Sequence, residues 1–166
     1  MLSVMKNQAL TGPEETPQLM LERQLCFPLY AAARRVVNQY TPYLKPLGLT
    51  YTQYIVFLAL WETGEMSVGE LCRTLFLDNG TLTPLLKKME EAGYILRARS
   101  SEDERVVTIR MTESGWALRQ RAAEIPGLVG KCVALSPEEA RHLYAILYKL
   151  LNQLEEPIHP VSGKVG

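Results

Sequence analysis

The segment from residue 77 to residue 115 constrains the fold more than any other part of the chain, because it predicts a short capped helix followed by a β-hairpin. Asp78 or Asn79 can cap the start of the helix, and Gly93 can end it. Pro84 is then expected near the first turn, where its missing N–H costs least. Apolar residues at three- and four-residue steps predict one buried face, formed by Leu82, Leu85, Leu86 and Met89.

Two runs with strand character follow this helix, Tyr94–Arg99 and Val106–Met111. The polar segment Ser100–Arg105 separates them, so the sequence predicts a hairpin whose tip is flanked by Arg99 and Arg105. A charged hairpin placed directly after a helix is the expected wing of a nucleic-acid-binding module.

Another short helix precedes this one. Ser67 and Glu70 have the spacing of a capping box, and the helix continues through Leu71 and Leu75. Two helices joined by a few residues and followed by a wing predict a winged helix-turn-helix, which reads DNA. The alternative is that the outward residues of the second helix are only a solvated face. Read as a DNA contact surface, they supply hydroxyl donors and positive charge for phosphates and base edges through Thr81, Thr83, Lys87 and Lys88.

Composition limits the broad class of protein. The chain has 166 residues, 47% of them hydrophobic and 22% charged, which is ordinary for one soluble globular domain. The formal net charge is zero, so any DNA footprint must come from local segregation of charge. Three acidic residues within the wing weaken a simple electrostatic argument, namely Glu102, Asp103 and Glu104.

Targeting, metal and disulfide signals are lacking in the sequence. Apolar runs such as Ile55–Trp61 are too short to cross a bilayer, and the N-terminus has no basic start followed by an apolar stretch, so we expect a cytoplasmic protein with no membrane partner. Two scattered histidines predict no metal site, and no cofactor is expected. An odd number of widely spaced cysteines predicts free thiols rather than a disulfide framework; these are Cys26, Cys72 and Cys132.

The whole chain is expected to be mainly α with a small β-wing. We predict helices over about 21–45, over 51–62 after a Thr50 capping box, from Thr112 to about Ala123, and over 137–155 after a Ser136 capping box. The predicted domains are a winged helix-turn-helix over 49–111, a helical dimerisation region over 18–48 and 112–156, and flexible ends over 1–17 and 157–166.

The two outer helices carry more apolar surface than a DNA-binding module of about 60 residues can cover. We therefore expect the two ends of the chain to pack together and to bury a partner subunit, giving a homodimer. A two-fold dimer also suits inverted-repeat DNA. The alternative is that the apolar stripes along these two helices pack only within one chain, as part of its core. In the last helix the stripe comprises Ala140, Leu143, Tyr144, Leu147, Leu150, Leu151 and Leu154.

Cys26 is the cysteine with the most suggestive surroundings. Pro28 favours a position for Cys26 near the first turn of a helix or at a kink in it. At a helix start the partial positive charge stabilises a thiolate, although the apolar neighbours of Cys26 oppose ionisation. Tyr40 lies fourteen residues further on, which is about 21 Å along a straight helix, so the two would meet only across a dimer. Five tyrosines that could donate hydrogen bonds, or be ordinary half-buried aromatics, are Tyr30, Tyr40, Tyr43, Tyr51 and Tyr54.

From about residue 20 to residue 155 the chain resembles the organic hydroperoxide resistance regulators, a peroxide-sensing branch of the MarR family. The resemblance rests on Leu25–Tyr30 (LCFPLY), Thr50–Tyr54 (TYTQY), Leu58–Glu62 (LALWE), Leu77–Lys88 (LDNGTLTPLLKK) and Asp103–Arg105 (DER). It implies a MarR-like homodimeric winged-helix repressor that binds operator DNA when reduced and releases it when an organic hydroperoxide oxidises a sensing cysteine.

The resemblance also implies roles for individual residues. Cys26 matches the sensing cysteine, Tyr40 and Tyr51 match tyrosines that hydrogen-bond it across the dimer, and Tyr30 matches a third tyrosine near the site. Recognition-helix contacts would come from Thr81, Thr83 and Lys87, and wing contacts from Asp103 and Arg105, with the acid orienting the arginine for the minor groove.

The resemblance leaves two redox routes open. In one route a small thiol traps the oxidised Cys26 or Cys26 is over-oxidised. In the other, which we favour, Cys132 resolves it as an intersubunit disulfide, although Cys132 aligns about one residue away from the expected position. Otherwise Cys132 is an inert helix-end thiol, and Cys72 is expected to be a small core residue. Two rival functions are a MarR-type repressor released by a small aromatic ligand and a thiol peroxidase that uses Cys26.

Overall fold

A computed structural model describes residues 17–99 and 106–154. The described residues are mainly helical with one small sheet, which confirms the predicted fold class. In chain order the main elements are α1 (Cys26–Leu44), α2 (Tyr51–Thr63), β1 (Glu65–Ser67), α3 (Val68–Leu75), α4 (Asn79–Glu91), β2 (Ile95–Arg99), β3 (Val107–Met111), α5 (Glu113–Ala122), α6 (Ile125–Gly130) and α7 (Pro137–Gln153), with 3-10 turns at Pro17–Leu19, Leu21–Arg23 and Lys45–Leu47.

Helix starts follow the capping signals closely. Thr50, Ser67 and Ser136 each accept a hydrogen bond from the backbone N–H three residues on, and the side chain at that position completes the capping box. Thr112 caps α5 in the same way, without the reciprocal bond. The predicted starts of α2, α3, α5 and α7 are therefore confirmed, because each start is set by a bond within one turn.

The position of Pro84 was wrongly predicted. Asp78 is the cap of α4, accepting a 2.8 Å hydrogen bond from the Thr81 N–H, so Pro84 is the sixth residue of the helix instead of lying in its first turn. The N–H that proline lacks would have bonded the carbonyl of Gly80, and this turn accommodates the loss. The buried face of α4 is otherwise as expected, with Leu82, Leu86 and Met89 inaccessible to solvent and Leu85 half-buried.

The sheet has one strand that the sequence did not predict. Its order is β1-β3-β2, with antiparallel pairing throughout. The hairpin strands β2 and β3 were expected, and each begins one residue later than predicted. The additional strand β1 has only three residues and pairs Met66 with Ile109, so no periodicity could reveal it.

The core of the unit formed by Met1–Ala123 lies between α2, α3, α4, α5 and the sheet. Glycine is required at two places beside it. Gly93 ends α4 with φ of +75°, and a Cβ on Gly115 would collide with the carbonyl oxygen of Tyr94. The largest fully buried side chains here are Tyr54, Phe57, Leu44, Leu60, Leu71, Leu82, Leu86, Met89, Ile95, Ile109 and Val56.

Helix α1 differs from the elements of this core. It begins at Cys26 and not at about residue 21, because the preceding residues form 3-10 turns. Leu44 is its only buried residue, whereas Leu25, Phe27 and Leu29 are exposed. Apolar residues around the start of α1 are therefore not covered by the described part of this chain.

The second unit, Glu124–Gly166, contains α6 and α7. The short α6 was not predicted separately. Helix α7 has no buried residue, and its exposed apolar side chains include Leu143, Tyr144, Ile146 and Tyr148. None of the described helices is long and apolar enough to cross a membrane. Over residues 17–99 and 106–154, His, Cys, Asp and Glu form no group of three or more that could hold a metal ion.

Candidate functional site

The outward face of α4 carries the predicted DNA contacts. Thr81, Thr83, Lys87 and Lys88 are all exposed. The Thr81 hydroxyl donates a 2.8 Å hydrogen bond to Asp78, and Lys87 lies 3.9 Å from Glu91 one turn later. Thr83, Lys87 and Lys88 thus present a hydroxyl and two positive charges to solvent, while the Thr81 hydroxyl is engaged by Asp78 at the start of the helix.

A groove of about 530 Å³ lies beside α4 and adds two basic residues that sequence reasoning missed. Arg97 on β2 places Nη1 3.9 Å from Glu90, and its backbone N–H donates to the same carboxylate at 3.1 Å. Arg73 comes from α3. Neither stands out in the sequence, since only the packing of α3 and the sheet against α4 brings them together. The lining comprises Ser67, Val68, Gly69, Arg73, Asn79, Thr83, Arg97, Val106 and Val107.

The wing is described only in part. Arg99 is exposed at the end of β2, opposite Val107 on β3. Asp103 and Arg105, the other predicted wing residues, lie outside the described residues, so their DNA contacts stay predictions.

Cys26 is the first residue of α1 and its side chain is exposed. The cap residue Leu25 offers no side-chain hydrogen bond to the first turn. The Phe27 N–H at this start donates instead to the Gln24 backbone carbonyl at 3.2 Å, so the preceding turn satisfies part of the first turn of α1. One and two turns further on, Arg34 Nη1 donates a 3.2 Å hydrogen bond to the Tyr30 hydroxyl, and the guanidinium lies 5.6 Å from the centre of that ring.

The structure brings three tyrosines together at the other end of α1. The ring centroids of Tyr40 and Tyr51 are 5.0 Å apart, and Tyr54 lies 5.7 Å from Tyr40 and 6.4 Å from Tyr51. Burial, with Tyr40 and Tyr51 beside it, raises the pKa of Tyr54 to about 12. Burial and Tyr40 also raise the pKa of Tyr51. Both phenols therefore stay protonated at neutral pH and remain hydrogen-bond donors.

Tyr54 was not among the residues singled out as partners of the sensing cysteine. It is 2% exposed and also lies 6.4 Å from Trp61, so it connects the tyrosine cluster to the core of the DNA-binding module. Its spacing of three residues from Tyr51 on a predicted helix was the available signal.

Cys26 and this cluster are far apart within one chain. α1 runs without a break from Cys26 to Leu44, so the fourteen residues between Cys26 and Tyr40 correspond to about 21 Å of helix. Tyr30, by contrast, is on the same face of α1 one turn after Cys26. The structure therefore places one predicted tyrosine near Cys26 and gathers the other two elsewhere.

The other two cysteines occupy different settings. Cys132 is exposed just after α6, and its Sγ donates to the Leu128 carbonyl at 3.6 Å. Cys72 is half-buried, and its Sγ lies 3.4 Å from Asn79 Oδ1 as a weak donor. Cys72 was expected in the core and is instead only half-buried, because its side chain lies beside Asn79 at the start of α4.

Comparison with known proteins gives a consistent result. Residues 38–121 match the family model of the SarA/Rot transcriptional regulators. An organic hydroperoxide resistance transcriptional regulator of Bacillus subtilis is 46% identical over 138 residues, which cover 83% of this chain and 94% of the relative.

Solved structures agree with this match. The reduced form of AbfR bound to DNA has a TM-score of 0.67 and 34% identity, covering 84% of this chain and 98% of that one. Overoxidized AbfR bound to DNA gives 0.66 and 34%, with 83% and 97% covered. A disulfide form of AbfR gives 0.58 and 32%, with 84% and 96% covered.

Proposed function

We propose that this chain, which belongs to the organic hydroperoxide resistance regulators, a branch of the MarR family of winged-helix transcription regulators, is a homodimeric repressor. It binds operator DNA while Cys26 is reduced and leaves the DNA when an organic hydroperoxide oxidises Cys26. The observation that carries this proposal is the exposed position of Cys26 as the first residue of α1. Its relatives are transcriptional regulators, so the chain is a regulator and the thiol peroxidase alternative is set aside. A regulator that binds chromosomal DNA must reach that DNA, which agrees with the cytoplasmic location expected from the sequence.

The apolar residues around the start of α1 support a dimer. Leu25 is 80% exposed, and Phe27 and Leu29 are also accessible. A second copy of the chain would cover them, as the exposed apolar face of α7 also requires. Such a dimer would place Cys26 against the partner subunit's Tyr40 and Tyr51, whose phenols can donate hydrogen bonds to a thiolate without adding charge.

The chemistry begins at the Cys26 thiolate. Its sulfur attacks one oxygen of the hydroperoxide, an S–O bond forms, the O–O bond breaks, and the leaving alkoxide takes a proton to become an alcohol. The product is a sulfenic acid. In the two-cysteine route, the Cys132 thiolate of the partner subunit attacks that sulfur, an S–S bond forms, the S–O bond breaks, and the leaving hydroxide takes a proton to become water. In the one-cysteine route, a small thiol takes the place of Cys132.

We infer that the disulfide, and not over-oxidation of Cys26 alone, is the form that leaves DNA. AbfR is described as bound to DNA in both its reduced and its overoxidized forms, and separately as a disulfide form. Adding oxygen to a thiol changes the site locally, whereas a disulfide ties two helical regions together and shifts them. A shift at the dimer interface would alter the spacing of the two α4 helices, which must match half-sites about 34 Å apart.

One observation keeps a second candidate function open. The groove beside α4, with Arg73 and Arg97 in its lining, is large enough for a small aromatic acid. A repressor released by such a ligand would respond normally when Cys26 is replaced by serine, whereas the proposed sensor would not.

The deciding experiment treats the purified dimer with about one equivalent of cumene hydroperoxide, and separately with hydrogen peroxide. Intact mass, a non-reducing gel and operator binding are measured for wild type, Cys26→Ser and Cys132→Ser, with Cys72→Ser as the matched control. A covalent dimer that requires Cys26 and Cys132 supports the two-cysteine route. A sulfenic or mixed-disulfide mass that requires only Cys26 supports the one-cysteine route. A Cys26 that remains a thiol under both oxidants rejects the sensor proposal.

A further inference from the structure

The exposed hydroxyl of Thr81 on α4 is hydrogen-bonded to the side chain of Asp78. The two oxygens, Thr81 Oγ1 and Asp78 Oδ2, are 2.8 Å apart, and the Thr81 N–H donates to Asp78 Oδ1, also at 2.8 Å. Resting on the DNA binding proposed above, we propose that Asp78 makes Thr81 a specificity-determining residue, which only accepts hydrogen bonds from DNA and therefore recognises the exocyclic amino group of a base in the major groove.

The direction of the hydrogen bond between the two side chains follows from their chemistry. The bonds from the Thr81 N–H and hydroxyl hold the pKa of Asp78 below its usual value, so this carboxylate is ionised at neutral pH. An ionised carboxylate has no proton to donate, so the Thr81 hydroxyl must be the donor. A hydroxyl has one proton. Because that proton is given to Asp78, the Thr81 oxygen offers only its lone pairs to a ligand.

An oxygen that only accepts has few possible partners on DNA. Phosphate oxygens, purine N7, guanine O6 and thymine O4 are themselves acceptors, so they cannot donate to it. The donors in the major groove are the amino groups on adenine N6 and cytosine N4. The negative charge of Asp78 also disfavours a phosphate at this place. The sequence predicted Thr81 as a hydroxyl donor to DNA, whereas its bond to Asp78 leaves it an acceptor.

The position of Thr81 is suitable for reading a base. It is the third residue of α4 and is exposed, and the N-terminal residues of a recognition helix are those that reach base edges. Gly80 precedes it, and a Cβ there would lie 3.0 Å from Asp78 Oδ1. The lack of a side chain at Gly80 therefore leaves room for the carboxylate to fold back onto Thr81.

The chain contains a matched control two residues later. Thr83 is also exposed on α4 and lines the groove beside this helix. Its side chain leaves the helix about 200° round the axis from that of Thr81. A general effect of removing a threonine hydroxyl would be shared by Thr81→Val and Thr83→Val, whereas dependence on the base amino group would be specific to Thr81.

Asp78→Asn changes the polarity of Thr81 and keeps the helix cap. The side-chain carbonyl of asparagine still accepts from the Thr81 N–H. Its amide NH2 then donates to the Thr81 oxygen, which frees the hydroxyl proton to point towards DNA. Thr81→Ser keeps the hydroxyl and its bond to Asp78, so it is the conservative variant that should retain wild-type recognition.

The test uses the reduced full-length dimer and a library of randomised inverted-repeat duplexes, from which wild type and Thr81→Val each select a sequence. The base pair whose preference is relaxed in Thr81→Val is then altered within the wild-type sequence. One duplex lacks the major-groove amino group of that pair, with 2-aminopurine replacing adenine or pyrimidin-2-one replacing cytosine. A second duplex lacks the purine N7, with a 7-deazapurine. Fluorescence anisotropy measures affinity, and circular dichroism and light scattering verify the fold and dimer of each variant.

We expect loss of the amino group to weaken wild-type binding roughly tenfold, and to weaken binding by Thr81→Ser and Thr83→Val by the same factor. Binding by Asp78→Asn and Thr81→Val should not depend on the amino group. Loss of N7 should affect wild type and Thr81→Val equally.

Three results would overturn the acceptor role of Thr81. They are a Thr81→Val dimer that selects the wild-type sequence, wild-type binding that depends on N7 and not on the amino group, and an Asp78→Asn dimer that still depends on the amino group. A reduced wild-type dimer that selects no sequence at all would instead reject the proposed repressor function.

Discussion

The winged helix-turn-helix buries its apolar residues, whereas helix α1 leaves most of its apolar residues exposed to solvent. In the module, Leu71, Leu82 and Ile109 are inaccessible to solvent. Around the start of α1, Leu25 is 80% exposed, and α1 buries only Leu44 in the described structure. The DNA-binding region satisfies its own hydrophobic pattern, whereas α1 requires something outside the described chain to cover it.

This difference bears on where a sensor can be built. A cysteine inside the module would have surroundings set by one chain. Cys26 lies instead at the start of α1, and the tyrosine cluster lies about 21 Å further along. If a second copy covers α1, as proposed, assembly of the dimer completes the sensing site, and any change at Cys26 acts directly on the dimer interface. The following predictions test this division, beginning with the largest expected effect.

Gly115→Ala should destabilise the unit that contains the winged helix-turn-helix, and this is the largest effect expected. A Cβ at this position meets the Tyr94 carbonyl oxygen and, at 2.7 Å, the Met111 side chain, and backbone cannot easily give way. We expect the free energy of unfolding to fall by about 3 kcal/mol, as measured by urea denaturation. Gly127→Ala is the control, since nothing lies within 4 Å of its Cβ. Equal stability of the two variants would contradict the close packing of α5 on Tyr94.

Leu25→Glu should separate the dimer while the module stays folded. A charge in the proposed interface would favour monomers, and loss of the second half-site should weaken operator binding about a hundredfold. Light scattering and operator titration measure the two effects. Leu96→Glu is the matched control for light scattering only, because Leu96 is 59% exposed on β2 of the wing and outside the proposed dimer interface. A dimeric Leu25→Glu would show that α1 is not the interface.

Tyr54→Phe should change how stability depends on alkaline pH. The pKa of Tyr54 is raised from 10.0 to about 12, chiefly by burial, so the unfolded chain ionises first. The stabilisation from Tyr54 is complete below pH 10 and is lost as the pH rises towards 12, with about 1 kcal/mol lost at pH 11. The variant should lose less stability between pH 9 and pH 11 in urea titrations. The same chemical change at exposed Tyr30 is the control, and identical alkaline profiles would contradict the prediction.

Asp78 should give the smallest effect. The hydrogen bond from the Thr81 N–H, followed by that from the Thr81 hydroxyl, holds the pKa of Asp78 below its usual value. The resulting stabilisation is present above pH 4 and is lost as the pH falls through the lowered pKa. Asp78→Ala should lower the urea midpoint at pH 7 by roughly 0.3 M. Asp78→Asn should retain most of the cap at pH 7 and lose part of the acid dependence.

Much of the fold was predictable because it depends on neighbours in the chain. Four helix starts follow from side chains that bond a backbone N–H three residues away, and the hairpin follows from two short alternating runs. The exposed face of α4 was also predicted correctly. The strand β1 escaped because three residues carry no period, and Pro84 was misplaced because several residues could have been the cap.

The candidate site was predictable only in part. Pro28 restricted Cys26 to the first turn of a helix or a kink in it, and the separation of Cys26 from Tyr40 follows from helix length. The approach of Arg97 to Glu90, and of Tyr54 to Tyr40, had no such local signal.

Capping, periodicity and helix length act within a few residues, so the order of helices and the outward face of α4 can be read from the printed sequence. Contacts between residues far apart in the chain depend on how helices and strands pack. The groove beside α4 exists because α3 and the sheet pack against that helix, and the tyrosine cluster exists because the end of α1 lies against α2. These depend on the shapes of many side chains at once, which no short pattern encodes.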